Sequence, residues 1–113
     1  MTQEIFDDCV RSLGDLAGVF EYDGETGYFY LYDLGGDTNK KIIDAIHIVT
    51  GQLDFGENDV CIRWTAAEDM VGLYVQGSLC AVFDTVRKQK YGGNYRDSNS
   101  PSLPRDVIGR FGN

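Results

Sequence analysis

The run Asp23-Gly24-Glu25-Thr26-Gly27 breaks the chain and delivers it straight into Tyr28-Phe29-Tyr30-Leu31-Tyr32-Asp33. Successive side chains of a strand point to opposite faces, so Tyr28, Tyr30 and Tyr32 share one side while Phe29 and Leu31 share the other. Phe29 and Leu31 are the expected core side. The three tyrosines then form a row open to water, to a partner or to another part of the chain, bracketed by Asp23, Glu25 and Asp33. A chain carrying this signature must fold around an antiparallel hairpin, with Val19-Phe20-Glu21-Tyr22 as the first strand and Tyr28 onward as the second.

The period of two continues downstream. Residues 40–49 are ambiguous: Ile42, Ile43, Ile46 and Val49 suit a helix capped by Thr38 or Asn39, whereas the β-branched enrichment and the Thr50-Gly51 stop favour a strand. The strand is the reading adopted. Val60, Ile62 and Trp64 alternate with Cys61 and Arg63, which predicts a buried indole. Val71-Gly72-Leu73-Tyr74-Val75 and Leu79-Cys80-Ala81-Val82-Phe83 flank the tight turn Gln76-Gly77-Ser78. The last of these runs is apolar on both faces, so a central strand covered on both sides is expected there.

Two segments read differently. Over residues 1–17, Ile5, Phe6, Cys9, Val10, Leu13 and Leu16 recur at three- and four-residue spacings, the pattern of a short amphipathic helix. That helix is the expected second cover of the apolar strand. Residues 87–113 form a loose tail in which Pro104 can open a short helix carrying Val107, Ile108 and Phe111. The expected architecture is one mainly β domain over 1–113: an N-terminal helix over 1–17, an antiparallel meander of about six strands over 18–86, and a covering tail over 87–113.

Length and composition agree with one globular domain. The 113 residues are 42% hydrophobic and 25% charged, enough to bury a core without staples. The start Met1-Thr2-Gln3-Glu4 lacks a basic and apolar leader, and no apolar run reaches membrane-spanning length, so a full-length cytoplasmic chain is expected.

Charge is unevenly placed. Residues 1–39 carry nine acids against Arg11 alone, residues 40–86 carry seven acids against three bases, and residues 87–113 carry six bases against two acids. An acidic body repels phosphates and anionic headgroups, which argues against nucleic acid and membrane as partners and for a basic protein patch or a cation.

Chemistry-bearing constellations are sparse. Cys9, Cys61 and Cys80 have no C-x-x-C spacing and only His47 could join them, so no metal site is expected; the cysteines read as reduced, with Cys61 and Cys80, inside apolar strand-like runs, as small buried hydrophobes. His47 sits between Ile46 and Ile48 and reads as a hydrogen-bonded histidine at the sheet surface. Asp23 with Glu25, or Asp33 with Asp37, could mimic a glycosidase pair or part of a calcium loop. Turns supply such pairs by default, however, and no D-x-D-x-D-G loop is present. Gly35-Gly36 and Gly92-Gly93 lack the lysine and the strand-to-helix context of a phosphate loop. No catalytic residue and no cofactor is assigned.

Tyr22-Asp23-Gly24-Glu25-Thr26-Gly27-Tyr28-Phe29-Tyr30, Asp44-Ala45-Ile46-His47-Ile48, Ile62-Arg63-Trp64, Val71-Gly72-Leu73, Ala81-Val82-Phe83-Asp84 and Lys90-Tyr91-Gly92-Gly93-Asn94-Tyr95 together resemble a small family of bacterial domains of unknown function. The resemblance covers roughly residues 18–96 and implies bacterial origin and a β-rich fold, with no known reaction. The second half is similar in style to several small bacterial domains, toxin-neutralising immunity proteins among them.

Taken together, the residues lead to a non-enzymatic acidic protein that binds a basic partner, such as a toxin, through Tyr28, Tyr30, Tyr32, Asp23, Glu25 and Asp33. An immunity or inhibitor role fits that reading, with the acids steering association and the rings holding the complex. A small-ligand or carbohydrate site on the same face is the alternative. An enzyme is the third, and beside all of these stands internal packing of the row, cross-strand against Tyr22 or beneath the basic tail with Tyr91, Tyr95 and Arg96 as its cover.

Overall fold

The computed structural model describes residues 4–35, 41–93, 95 and 103–111. Thr38, Asn39, Asp37, Lys40, Asn94 and Arg96, which enter the sequence reading, lie outside them.

Eight strands form two antiparallel meanders of four. The first sheet is β1 (Ile5–Val10), β2 (Leu16–Tyr22), β3 (Thr26–Asp33) and β4 (Lys41–Thr50) in that order. The second is β5 (Val60–Trp64), β6 (Met70–Val75), β7 (Ser78–Asp84) and β8 (Gln89–Gly92), followed by the helix α1 (Arg105–Arg110). The six strands read from the alternating segments are all present as strands. The additional two are β1, read as a helix, and β8, read as tail.

The N-terminal helix is therefore corrected to an edge strand. Ile5 faces the core and Cys9 packs against it, while Phe6 and Val10 lie exposed on the opposite face. A strand with apolar residues on both faces at i, i+1, i+4 and i+5 reproduces the spacing of an amphipathic helix, and pairing with β2 decides between them. The β1–β2 turn is held by Arg11, whose guanidinium forks onto both carboxylate oxygens of Asp15 at 2.9 and 2.5 Å.

The two sheets stack face to face. Phe29 and Phe83 meet at 5.0 Å between ring centroids, and Phe20, Ile48, Val71 and Leu73 fill the same core. Gly18 marks the closest approach of β2 to the second sheet: a Cβ there would lie 2.7 Å from a Val71 methyl. At one flank the Trp64 Nε1–H donates to the Cys9 carbonyl at 2.9 Å. On the opposite side the Tyr95 amide donates to the Ile48 carbonyl at 2.7 Å and the Lys90 ammonium to Asp44 at 3.0 Å. Trp64 shares its face with Val60 and Ile62, yet it is half-buried because it closes the β1/β5 flank.

The apolar strand at 78–84 is central and covered on both sides, but its outer cover is α1 rather than an N-terminal helix. Met70, Val82 and Val107 form a second buried cluster, with Leu79, Tyr91, Leu103 and Phe111 packed around it. Arg110 pairs with Asp69 at the helix end. Cys61 corrects another expectation: with Val60 and Ile62 taking the inward positions, its thiol is exposed.

Candidate functional site

The outer face of the first sheet is built by ladder register. Phe6, Glu21, Tyr28 and His47 form one rung; Asp8, Val19, Tyr30 and Ala45 the next; Val10, Ala17, Tyr32 and Ile42 the third. Phe6, Val10 and Ile42 are 56%, 47% and 54% exposed. Large side chains on a solvent-facing sheet are the informative kind of exposure, because nothing in the core requires them there. The equivalent outer face of the second sheet is the one that α1 covers.

Within this face the tyrosines hold one another. Tyr28 and Tyr30 stack at 5.8 Å, Tyr30 meets Tyr32 edge-on at 5.9 Å, and Tyr28 meets the His47 ring edge-on at 5.4 Å. His47 Nε2 lies 2.7 Å from the Thr50 hydroxyl, which fixes the imidazole at the sheet surface. The row is thus half-buried by its own neighbours in the ladder. Burial and then the nearby Glu21 carboxylate push the Tyr30 phenol up from its ordinary value, so it is neutral at physiological pH.

The acids named from the sequence separate. Asp23 stands beside the row and uses Oδ1 to accept from the Glu25 and Thr26 amides at 2.9 and 2.8 Å, which holds its carboxyl below the usual range. Glu25 is exposed at the hairpin tip. Asp33 lies at the far end of β3, on the parity of Phe29 and Leu31, and accepts from the Gly35 amide. Tyr28, Tyr30, Tyr32 and Asp23 come together; Asp33 belongs to a turn.

Three contributors were missed. Glu21 sits directly opposite Tyr28, a relation readable from the hairpin once its loop is set at 23–26. Phe6 was hidden by the helical reading of 1–17. Glu57 arrives from the loop after β4, through tertiary structure alone. With Glu4, Asp23, Tyr28 and Tyr30 they line a surface cavity of about 540 Å³. Asp7 lies next to it on the inward side of β1, where burial, followed by the charges of Asp8 and Glu57, raises its carboxyl.

A second cavity of about 420 Å³ opens between the sheets at the opposite end, lined by Leu16, Leu31, Ile43 and Phe83. Its Asp84 is committed to the amides of Val86 and Arg87. Among the described residues no three histidine, cysteine, aspartate or glutamate side chains converge as a metal site requires, and no helix is long and apolar enough to cross a membrane.

Fold and face together define a two-sheet β domain with one outer face covered by its own helix and the other presenting aromatic and acidic side chains. Residues 1–103 match the family described as "Uncharacterized protein conserved in bacteria (DUF2251)", and the chain belongs to that family. It is also 31% identical over 83 residues to a protein of Haemophilus influenzae described as an uncharacterized protein, an alignment covering 69% of this chain and 50% of that one. The chain thus spans about half the length of the curated relative it matches. No solved structure matches it significantly.

Proposed function

We propose that this domain is a non-enzymatic binding protein whose first sheet engages a basic partner protein through the row Tyr28, Tyr30 and Tyr32, an immunity or inhibitor type of role. The observation that carries the reading is the contrast between the two outer faces. One is covered by α1 over β6 and β7, with the β5 residues Cys61 and Arg63 exposed beside it, and the other leaves Phe6, Val10, Ile42 and the tyrosines beside Glu21 and Asp23 without a cover among the described residues. Tyrosine supplies contact area with little rotamer entropy and a polar handle, which is why interfaces are enriched in it. Within the described tail, β8 and α1 pack on the second sheet, and Lys90 and Tyr95 bond to Asp44, Ala45 and Ile48 of β4 rather than to the tyrosines, which leaves the row available to another molecule.

Charge selects the partner. Among the described residues the face carries Asp8 and Glu21 and no lysine or arginine, so a second copy of the chain would meet like charges while a basic protein would be steered onto it. The test is affinity capture from a bacterial lysate with the native chain and a Tyr30→Ser variant, followed by reconstitution with the purified partner. A basic protein held by the native chain, lost with the variant, and associating markedly more slowly at high salt is the expected result. A partner retained equally by both chains, or an association rate indifferent to salt, defeats the reading.

A small-ligand site on the same face is the second reading, favoured by the cavity beside Tyr28 and Tyr30. Saturable binding of a neutral sugar, abolished by Tyr28→Ala and indifferent to salt, would select it.

A further inference from the structure

We propose that the cavity at the Glu21 end of the tyrosine row is a socket for one arginine side chain of the basic partner, an inference that rests on the binding reading above. The cavity of about 540 Å³ is walled by Phe6, Tyr28 and Tyr30. Its carboxylates are Glu4, Glu21, Asp23 and Glu57, and none of them forms an ion pair with a lysine or arginine among the described residues. Four of the described cations are paired elsewhere: Arg11 on Asp15, Lys90 on Asp44, Arg110 on Asp69 and Arg87 near Asp106. The site therefore combines aromatic walls with uncompensated negative charge, and a cation with a flat apolar face satisfies both.

Guanidinium fits that description and ammonium does not. A guanidinium is planar, weakly hydrated, stacks on aromatic rings and presents a rigid fork to a carboxylate, whereas a lysine head is a compact and strongly hydrated point charge. The chain uses the same chemistry internally. Arg11 lies 5.6 Å from the Trp64 ring centroid while forking onto Asp15, and Arg63 lies 5.8 Å from that of Tyr74. The socket offers a partner's arginine the arrangement that Arg11 finds at home: ring, carboxylate and partial exclusion of water.

Position adds to the chemistry. Glu21 and Tyr28 sit opposite each other in the central strands β2 and β3, so the ladder fixes the carboxylate against the ring without needing a loop to close. Asp23 is pinned by two amide hydrogen bonds at the hairpin. Burial first, and the neighbouring carboxylates after it, raise the Tyr30 phenol and the Asp7 carboxyl on the two sides of the sheet.

The experiment is a nuclear magnetic resonance titration of the full chain with two probes, a hexa-arginine and a hexa-lysine peptide. Glu21→Gln is a third arm, and the melting temperature of that variant serves as the fold control. Shifts centred on Phe6, Glu21 and Tyr28 are expected, with arginine binding more tightly than lysine and Glu21→Gln weakening it about tenfold, the order of one charge-assisted hydrogen bond. Arginine and lysine peptides binding alike, or shifts centred on Tyr32 and Ile42 and untouched by Glu21→Gln, would overturn the socket and leave the basic-partner face standing. Failure of both peptides to perturb the face at low salt would overturn socket and face together.

Discussion

Glu21 of β2 and Tyr28 of β3 lie directly opposite each other on the outer face of the first sheet. This pairing follows from the hairpin, because the turn that sets Tyr22 against Gly27 sets every pair behind it. A slip of one residue would send Tyr28, Tyr30 and Tyr32 inward and expose Phe29, which is fully buried at 0%. The core and the candidate site are thus held in register by the same turn, and this dependence shapes the expected behaviour of variants.

Tyr30→Ala should weaken partner binding by roughly 1–4 kcal/mol if the row is the interface, while costing the monomer about 0.2–1 kcal/mol of cross-strand contact. Phe29→Ala should do the reverse, losing about 3–5 kcal/mol of stability because its ring packs on Phe83 in the core. Urea unfolding of both variants beside a partner-binding assay makes the comparison. An early-melting Tyr30 variant would show that the row is structural packing.

The indole of Trp64 closes the flank between β1 and β5. Trp64→Phe keeps an aromatic ring but removes the Nε1–H donated to the Cys9 carbonyl together with the five-membered half of the indole, so a loss of at least about 0.5–1.5 kcal/mol is expected. Trp64→Ala should cost less than the about 3–5 kcal/mol of a fully buried tryptophan, because this one is half-buried. Equal stabilities for the native and Phe variants in urea would remove the hydrogen bond from the account.

Acid should loosen α1. The Thr65 hydroxyl first, and Arg110 further along, hold the Asp69 carboxyl below its ordinary value of 3.8. A carboxylate with a lowered folded value contributes stability above the unfolded value, and that contribution disappears as pH falls through the folded one. The expected loss lies below about pH 4, where protonation releases Arg110. Amide exchange at Val107 should quicken there, and Asp69→Asn should remove the pH dependence. An unchanged acid limb in that variant would assign the loss to other carboxyls.

Thiol chemistry should separate the cysteines. Burial pushes the Cys80 thiol up to about 11, so almost none of it is thiolate at neutral pH. Cys61 is exposed. A disulfide reagent on the native chain at pH 8 should modify Cys61 rapidly and reach Cys80 only on unfolding, as peptide mapping would reveal. Early labelling of Cys80 would mean that β7 opens in the native state at the irregularity where its pairing with β6 passes from Leu79 to Ala81 and skips Cys80.

Much of the local structure was legible from residue order. Alternation identified most of β2 to β7, because a strand with one buried face writes its period of two into the sequence, while β4 was read from its β-branched residues and the Thr50-Gly51 stop and β7 from a short apolar run bounded by a turn. The same rule placed Tyr28, Tyr30 and Tyr32 opposite Phe29 and Leu31. The segment 5–10 defeated it, since a strand apolar on both faces has no single period and its pattern coincides with that of a helix. The outward placement of Cys61 was written in the alternation of Val60 and Ile62, but the apolar character of the run concealed it.

What residue order determined by itself is which segments extend, where they turn and which side chains share a face, since those depend on neighbours in the chain. Tertiary structure alone decided that the strands divide into two stacked sheets, that α1 rather than the N-terminal segment covers β7, and that Glu57 joins Glu21 and Tyr28 at one cavity. Those contacts join residues far apart in the chain, and their free energy comes from packing two faces against each other, a quantity no local pattern contains.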